Sequence, residues 1–427
     1  MQDELIGRGR REGNRLFKDW FVELDGAADS GEPVAYTFVM GSLAEVLRAF
    51  DFHVVFPEIN SLQAAVKKQS PEYLNKAEDY GYSTDVCGYV KADVGTQLQD
   101  GRHPNGRIPK PSLVIASNMC NTYVKWVEIW ERMHHCPVFV FDLPGQRSMA
   151  WQAQPGDAAF EADRRYVEGQ LEELIAVSER ITGRRFDLER MREVLAYVNS
   201  MAADWEAILR LNQNVPAPFN VLADGLTYMG MLSAYRGTAE GAHYMRELRE
   251  EMEFRVAHRI GTVPEERFRL HGVGPACYPF FRRFLELFQE WGAVFVSSEY
   301  LAYAGGGLDR GIHYDLDRPL ESLAEQLVLT AQRSMSNMFF SQDRLHDAVR
   351  EWRADGIVYH SVKSCRTVST GMADSREYLT RVYNVPALFL ESDLVDPRAW
   401  SEAQIKNRVD AYFEALASRK LAAAAGR

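Results

Sequence analysis

Three of the five cysteines stand in the same local setting. Cys120 follows the apolar run at 112–117 and opens a helical stretch, and Cys365 follows the run at 356–361 and opens another. Cys87 ends the polar loop 81–86, directly before a helical run from Gly88. The carboxyl end of a strand feeding a helix is where α/β proteins place their chemistry, and the positive end of a helix dipole favours thiolate. Three such thiolates point to a metal or iron–sulfur centre. The competing reading is that small thiols simply fill strand-to-helix junctions. Spacing does not decide between them, since neither a C-x2-C knuckle nor an H-E-x-x-H helix occurs. Cys136, just before Pro137 at a strand entrance, reads as core. Cys277, between a strand and a helix, is held in reserve as a ligand or pocket residue. The ten histidines show no ligand spacing, although His360 shares a strand end with Cys365. Glu58, after Phe56-Pro57 at a strand end, is a candidate proton donor or acceptor, against a structural helix-entry role. At Asp142 a turn-forming role is favoured. Gly272-Val273-Gly274 lacks the rest of a dinucleotide fingerprint, and Gly305-Gly306-Gly307 precedes no Walker lysine, so the chain does not read as an ATPase.

The elements that must carry these residues fall into three blocks. After an amphipathic helix over about the first 22 residues, strands at 34–40, 53–57, 112–116 and 137–142 alternate with helices at 43–50, 61–68, 71–80, 88–98 and 121–134. Apolar residues then recur at helical spacing over 158–180, 187–211 and 221–258. Strands return at 268–271, 293–298, 356–360 and 385–391, again with helices between, before a final helix at 400–419 and a frayed tail from Leu421. The fold class is α/β: two doubly wound parallel-sheet domains, 1–150 and 263–427, flank a mainly helical segment, 151–262. Cys87 and Cys120 lie in the first and Cys365 in the last, so a shared site falls at the interdomain cleft.

A length of 427 residues calls for two or three domains, and 46% hydrophobic with 26% charged residues describes an ordinary globular chain. A net charge of −11 argues against nucleic-acid affinity but leaves room for a local basic pocket. No secretory signal and no membrane-spanning run is evident, and five cysteines suit reduced thiols or ligands, so the cytoplasm is the expected compartment.

Four stretches also carry a family likeness. Val54-Val55-Phe56-Pro57-Glu58-Ile59-Asn60, the run from Tyr80-Gly81-Tyr82-Ser83 to Cys87-Gly88-Tyr89, Ser117-Asn118-Met119-Cys120-Asn121 and Ser361-Val362-Lys363-Ser364-Cys365-Arg366 resemble the benzoyl-CoA reductase / 2-hydroxyacyl-CoA dehydratase family. Order and spacing agree over about residues 30 to 415. Lys110-Pro111-Ser112-Leu113 and the Tyr-Gly-Tyr-Ser run look most like the larger, substrate-side subunit of the ATP-dependent benzoyl-CoA reductase branch. The resemblance implies that Cys87, Cys120 and Cys365 hold a [4Fe-4S] cluster with one iron left open. It implies an acyl-CoA substrate, a homologous cluster-bearing partner subunit and a separate ATP-hydrolysing iron–sulfur activator. For an aromatic thioester the outcome is a cyclic dienoyl-CoA, formed by single-electron delivery with Glu58 as proton relay. Alternatives within the family are a 2-hydroxyacyl-CoA dehydratase and a double-cubane reductase. A cluster-free structural subunit is the reading from a different class. One departure bears on this choice: dehydratases tend to place a hydroxyl residue at the end of the first strand, where this chain has Met40, with Ser42 as a weaker candidate nearby. A bulky thioether there suits a flat apolar ring.

Overall fold

Two four-stranded sheets, each wholly parallel, organise the chain. The computed structural model describes residues 5–40, 42–145, 153–304, 312–334 and 338–425. The expected boundary at residue 150 and the triple glycine at 305–307 lie outside them.

The first sheet has the order β2-β1-β5-β6, built from β1 (Val34–Tyr36), β2 (His53–Val55), β5 (Leu113–Ser117) and β6 (Val138–Phe141). All five residues of β5 are buried, as expected of a strand covered on both faces. Its helices are α1 (Arg8–Ser30), α2 (Ala44–Ala49), α3 (Pro57–Val66), α4 (Ser70–Tyr80), α5 (Gly88–Gln97) and α6 (Asn121–His134). A two-residue hairpin, β3 (Arg102–His103) with β4 (Gly106–Arg107), fills the loop before β5. The second sheet has the order β10-β9-β7-β8, from β7 (Phe268–Val273), β8 (Ala293–Ser298), β9 (Gly356–Val362) and β10 (Ala387–Ser392).

Between the sheets run α7 (Ala158–Thr182), α8 (Leu188–Leu211), α9 (Gly225–Ala234) and α10 (Ala239–Ala257). The helical pattern at 221–258 therefore resolves into two helices. Gly237 takes φ +73°, and the Thr238 hydroxyl then caps α10 by accepting the Gly241 N–H at 3.0 Å. Helix α1 runs on to Ser30, past the expected end near residue 22, and its start packs on α9 and α10. There the Tyr244 hydroxyl donates to the Gly9 carbonyl, and buried Glu251 accepts the N–H groups of Gly7 and Gly9. The remaining helices are α11 (Phe281–Gln289), α12 (Glu299–Ala304), α13 (Pro319–Ser334), α14 (Met338–Glu351), α15 (Arg366–Ser369), α16 (Met372–Tyr383) and α17 (Glu402–Ala425). The tail expected to fray from Leu421 is helical through Ala425.

One hydrophobic core joins all three blocks, running from Trp20 and Trp126 through Trp205 to Phe413. A buried polar knot crosses it as well. Arg236 donates to Glu45 Oε1 at 2.6 Å, and the Tyr314 hydroxyl donates to the same oxygen at 3.0 Å, so α2, the α9–α10 junction and the segment before α13 are held together.

Candidate active site

Each of the three cysteines caps the amino end of a helix. Cys87 precedes α5, Cys120 precedes α6 and Cys365 precedes α15. Strand β5 delivers Cys120 and β9 delivers Cys365, each just beyond the strand's carboxyl end. Hydrogen bonds then fix these turns to one another. Buried Asp93 on α5 accepts the indole N–H groups of Trp126 at 2.8 Å and Trp130 at 2.7 Å, bolting α5 to α6. Burial still pushes that carboxyl up to about 6, against the pull of those bonds. On the other side, Ser364 donates through its N–H (3.0 Å) and its hydroxyl (2.5 Å) to buried Asp393, while its oxygen accepts the Gly88 N–H at 3.1 Å. The approach at Gly88 is close, since a Cβ there would stand 3.0 Å from Asp393 Oδ1 and 3.1 Å from Val395 Cβ, so a larger residue would push these neighbours aside by a few tenths of an ångström. Finally, Cys120 Sγ lies 3.3 Å from Thr367 Oγ1, whose hydroxyl donates to Asn121 Oδ1 at 3.1 Å. The turns from both sheets thus meet at one place.

The thiols do not behave as the helix dipole alone suggests. Burial pushes Cys365 up to about 11 and raises Cys87 strongly, and the thiols raise one another further, Cys365 and Cys120 acting on Cys87 and Cys120 on Cys365. Backbone N–H groups of the capped helices pull the other way and lose to desolvation. Among the described residues, no three His, Cys, Asp or Glu side chains are grouped to hold a single metal ion.

Glu58 sits in the first turn of α3, because Pro57 starts the helix at its first position. Its two oxygens are held separately: the Val39 N–H donates to Oε2 and the Tyr123 hydroxyl to Oε1, both at 2.7 Å. Tyr123 lies three residues past Cys120 and stacks on Phe38 at 3.7 Å between centroids. Burial raises Glu58 to about 7, and the two donors only partly offset it. Its field reaches Cys365.

Sequence reasoning missed a second group of polar atoms there. The hydroxyls of Tyr89, Tyr278 and Tyr300 converge, with Tyr278 donating to Tyr300 at 3.4 Å. Burial raises all three phenols, and Tyr278 and Tyr300 both feel Glu58. The available signal was position, since Tyr89 follows Cys87 by two residues, Tyr278 adjoins Cys277 and Tyr300 follows β8.

The other candidates have partners of their own. The Ser42 hydroxyl accepts the Ala44 N–H at 3.2 Å, at the start of α2. Cys277 is buried, pushed up to about 11 by desolvation, and its hydrogen-bond partner is Ser392. Cys136 is buried in the core beside β6. His360 has both ring nitrogens engaged, with the Pro275 carbonyl and with Ser392 Oγ at 2.6 Å, and so does not turn toward Cys365. Asp142 accepts from Asn118 at 2.8 Å and from Tyr166 at 3.0 Å. Met40 packs, partly buried, against the core.

Parallel sheets with chemistry gathered at helix amino ends define an α/β site protein, and comparison with known sequences gives the class. The profile of the 2-hydroxyglutaryl-CoA dehydratase, D-component family matches residues 42–416, and the chain belongs to that family. It is 35% identical over 411 residues to a benzoyl-CoA reductase subunit of Thauera aromatica, covering 94% of this chain and 92% of the relative. It is 27% identical to the (R)-2-hydroxyisocaproyl-CoA dehydratase alpha subunit of Clostridioides difficile, covering 95% and 96%. It is 26% identical to the (R)-phenyllactyl-CoA dehydratase alpha subunit of Clostridium sporogenes, covering 88% of each. These relatives are enzymes named as subunits. No helix among the described residues is long and apolar enough to cross a membrane.

Proposed function

We propose that this chain is the substrate-side subunit of an aryl-CoA reductase of the benzoyl-CoA type, acting in the cytoplasm. The observation that carries the reading is the meeting of the Cys87, Cys120 and Cys365 turns, from two sheets, beside the Glu58–Tyr123 pair. The higher identity to a benzoyl-CoA reductase subunit than to the dehydratase subunits favours ring reduction over dehydration. The sheets serve as the two α/β domains expected above, with the site at their seam.

The donor set fits a [4Fe-4S] cluster. It offers three thiols on three capped turns, whereas Cys277 and Cys136 are committed elsewhere, so one iron stays open. The partly buried Cys87 and Cys365 thiols, raised above the free value, would lose their protons when iron binds, which couples loading to proton release. When bound, such a cluster supplies single low-potential electrons. The chain's own residues supply the rest. Glu58, raised by burial to about 7, can hold a proton near neutral pH, give it up and be refilled. Val39 and Tyr123 fix the direction in which each of its oxygens faces. The Tyr123 ring that bonds Glu58 is itself held by stacking on Phe38. Two electrons and two protons convert the ring to a cyclic diene. The electrons come through a homologous cluster-bearing partner from an ATP-hydrolysing iron–sulfur activator, a role for which this chain carries no phosphate loop.

The test is anaerobic turnover by the complex with partner subunit, reduced activator and ATP, comparing benzoyl-CoA with a 2-hydroxyacyl-CoA. Benzoyl-CoA is expected to be reduced; turnover of the hydroxyacyl ester alone refutes the ring-reductase reading. Cys120→Ser should abolish both the bound iron and the activity. An iron-free chain in a fully active complex refutes the cluster.

A further inference from the structure

The three cysteine sulfurs draw their hydrogen bonds from different places. Cys87 and Cys365 take backbone N–H groups of their own helices, those of Tyr89 and Val90 and that of Val368. Cys120 meets a side chain carried by the other sheet: its Sγ lies 3.3 Å from Thr367 Oγ1, 247 positions along the chain. Thr367 stands on α15, just past Cys365, and that short helix is tied closely to β9. Ser369 Oγ accepts the Val362 N–H at 2.8 Å and donates to the Val362 carbonyl at 2.9 Å. The Arg366 guanidinium donates to the Lys363 carbonyl at 2.9 Å. The strand end that delivers Cys365 therefore also sets the Thr367 hydroxyl in place.

A threonine hydroxyl has one hydrogen to give. With Cys120 as a thiol, its S–H points to Thr367 Oγ1, and the Thr367 hydroxyl donates onward to Asn121 Oδ1 at 3.1 Å. A sulfur bound to iron is a thiolate and only accepts. The Cys120–Thr367 contact then holds only with Thr367 as the donor, so its hydroxyl turns from Asn121 to the sulfur. Asn121 Oδ1 is not stranded by the change, because the Thr122 hydroxyl also donates to it, at 3.4 Å, and the side chain is exposed.

We propose that Thr367 is a positioning residue for the electron chemistry, its hydroxyl donating to the Cys120 sulfur of the loaded site and raising the reduction potential of the cluster held there. This rests on the iron–sulfur reading above and adds a residue that sets the potential. A hydrogen bond to a ligand sulfur draws off negative charge and so favours the reduced state, which carries one electron more. Since Cys120 comes from the first sheet and Thr367 from the second, the potential depends on how the two sheets meet.

The experiment uses the assembled, iron-loaded complex, with this chain's signal identified as the one that Cys120→Ser removes. Redox titration followed by electron paramagnetic resonance gives its midpoint potential. In Thr367→Val a methyl group takes the hydroxyl's place and keeps water out of it. At a fixed potential the ratio of reduced to oxidised cluster should fall about ten-fold, a downward shift of about 59 mV for one electron. Thr367→Ser keeps the donor and should leave the ratio near that of wild type. Asn121→Ala breaks the same Thr367–Asn121 bond but spares the donor to sulfur, so its ratio should not fall. A T367V fall of less than about three-fold overturns the proposal. So does an equal fall in T367S or N121A, which marks Thr367 as a staple between the turns. Resonance Raman spectra of the wild-type complex give a reading that needs no variant: iron–sulfur stretching bands should shift between H2O and D2O, and unshifted bands overturn the proposal. A wild-type complex in which this chain holds no iron overturns the functional reading instead.

Discussion

Replacing Glu58 by glutamine removes one ionisation and little else. The amide can accept the Val39 N–H through its oxygen and donate to the Tyr123 hydroxyl through its nitrogen, keeping both contacts that the carboxyl makes. In the folded chain burial holds Glu58 at about 7, against an ordinary value of 4.5. Between those values the folded chain carries more protons than the unfolded one, so stability falls as pH rises through this window and levels off above it. The full difference corresponds to about 3 kcal/mol, and partial contact of the residue with solvent reduces this to about 2 kcal/mol. Glutamine escapes that loss. The E58Q chain should therefore gain about 2 kcal/mol over wild type between pH 4.5 and pH 8, with the change steepest midway between the two values, near about pH 6. Urea denaturation across this range reads the difference, and infrared difference spectra of the two proteins report the carboxylic acid band directly. A stability difference that stays flat with pH refutes the reasoning. So does a band that has already vanished by about pH 5, the ordinary carboxylate behaviour.

Other perturbations test the supports around the site. Tyr123→Phe keeps the stack on Phe38 but removes the hydroxyl that favours the Glu58 carboxylate, so the alkaline limb of the activity profile, set by loss of the acid form, should move to higher pH. A limb that stays in place separates Glu58 from the rate. Arg236→Leu strands the buried Glu45 carboxylate without its cation and should cost about 3–5 kcal/mol, seen as a lower melting temperature, whereas Arg190→Leu at the surface should cost less than about 1 kcal/mol.

The sequence made local features readable and left the long-range ones hidden. Cys120 and Cys365 were placed correctly at the ends of β5 and β9 because an apolar run, a turn and a helix are contiguous signals. The span of α6 was read to the residue for the same reason. Strand β1 stops at Tyr36, short of the apolar run that continues to Met40: Thr37 makes the last bond to β2, at the Val55 carbonyl, and the Val39 N–H then turns to Glu58. Glu58 was legible as a candidate from its neighbours, but its partners were not, since Tyr123 is 65 positions away. The tyrosine group and the Asp93 bolt stayed hidden likewise, each being assembled from separate helices and turns. At Cys87 and Cys365 desolvation outweighs the helix dipole, because a dipole is a local property, whereas desolvation depends on the whole enclosure.

The bond from Gly88 to Ser364 joins positions 276 apart and also sets an order of events in synthesis. During translation the turns bearing Cys87 and Cys120 emerge early, while Asp393, which orients Ser364, is made close to the end. A nascent chain therefore exposes two of the three thiols long before the third exists. A cluster bound by all three would be completed only once Cys365 and the strand that carries it have been made.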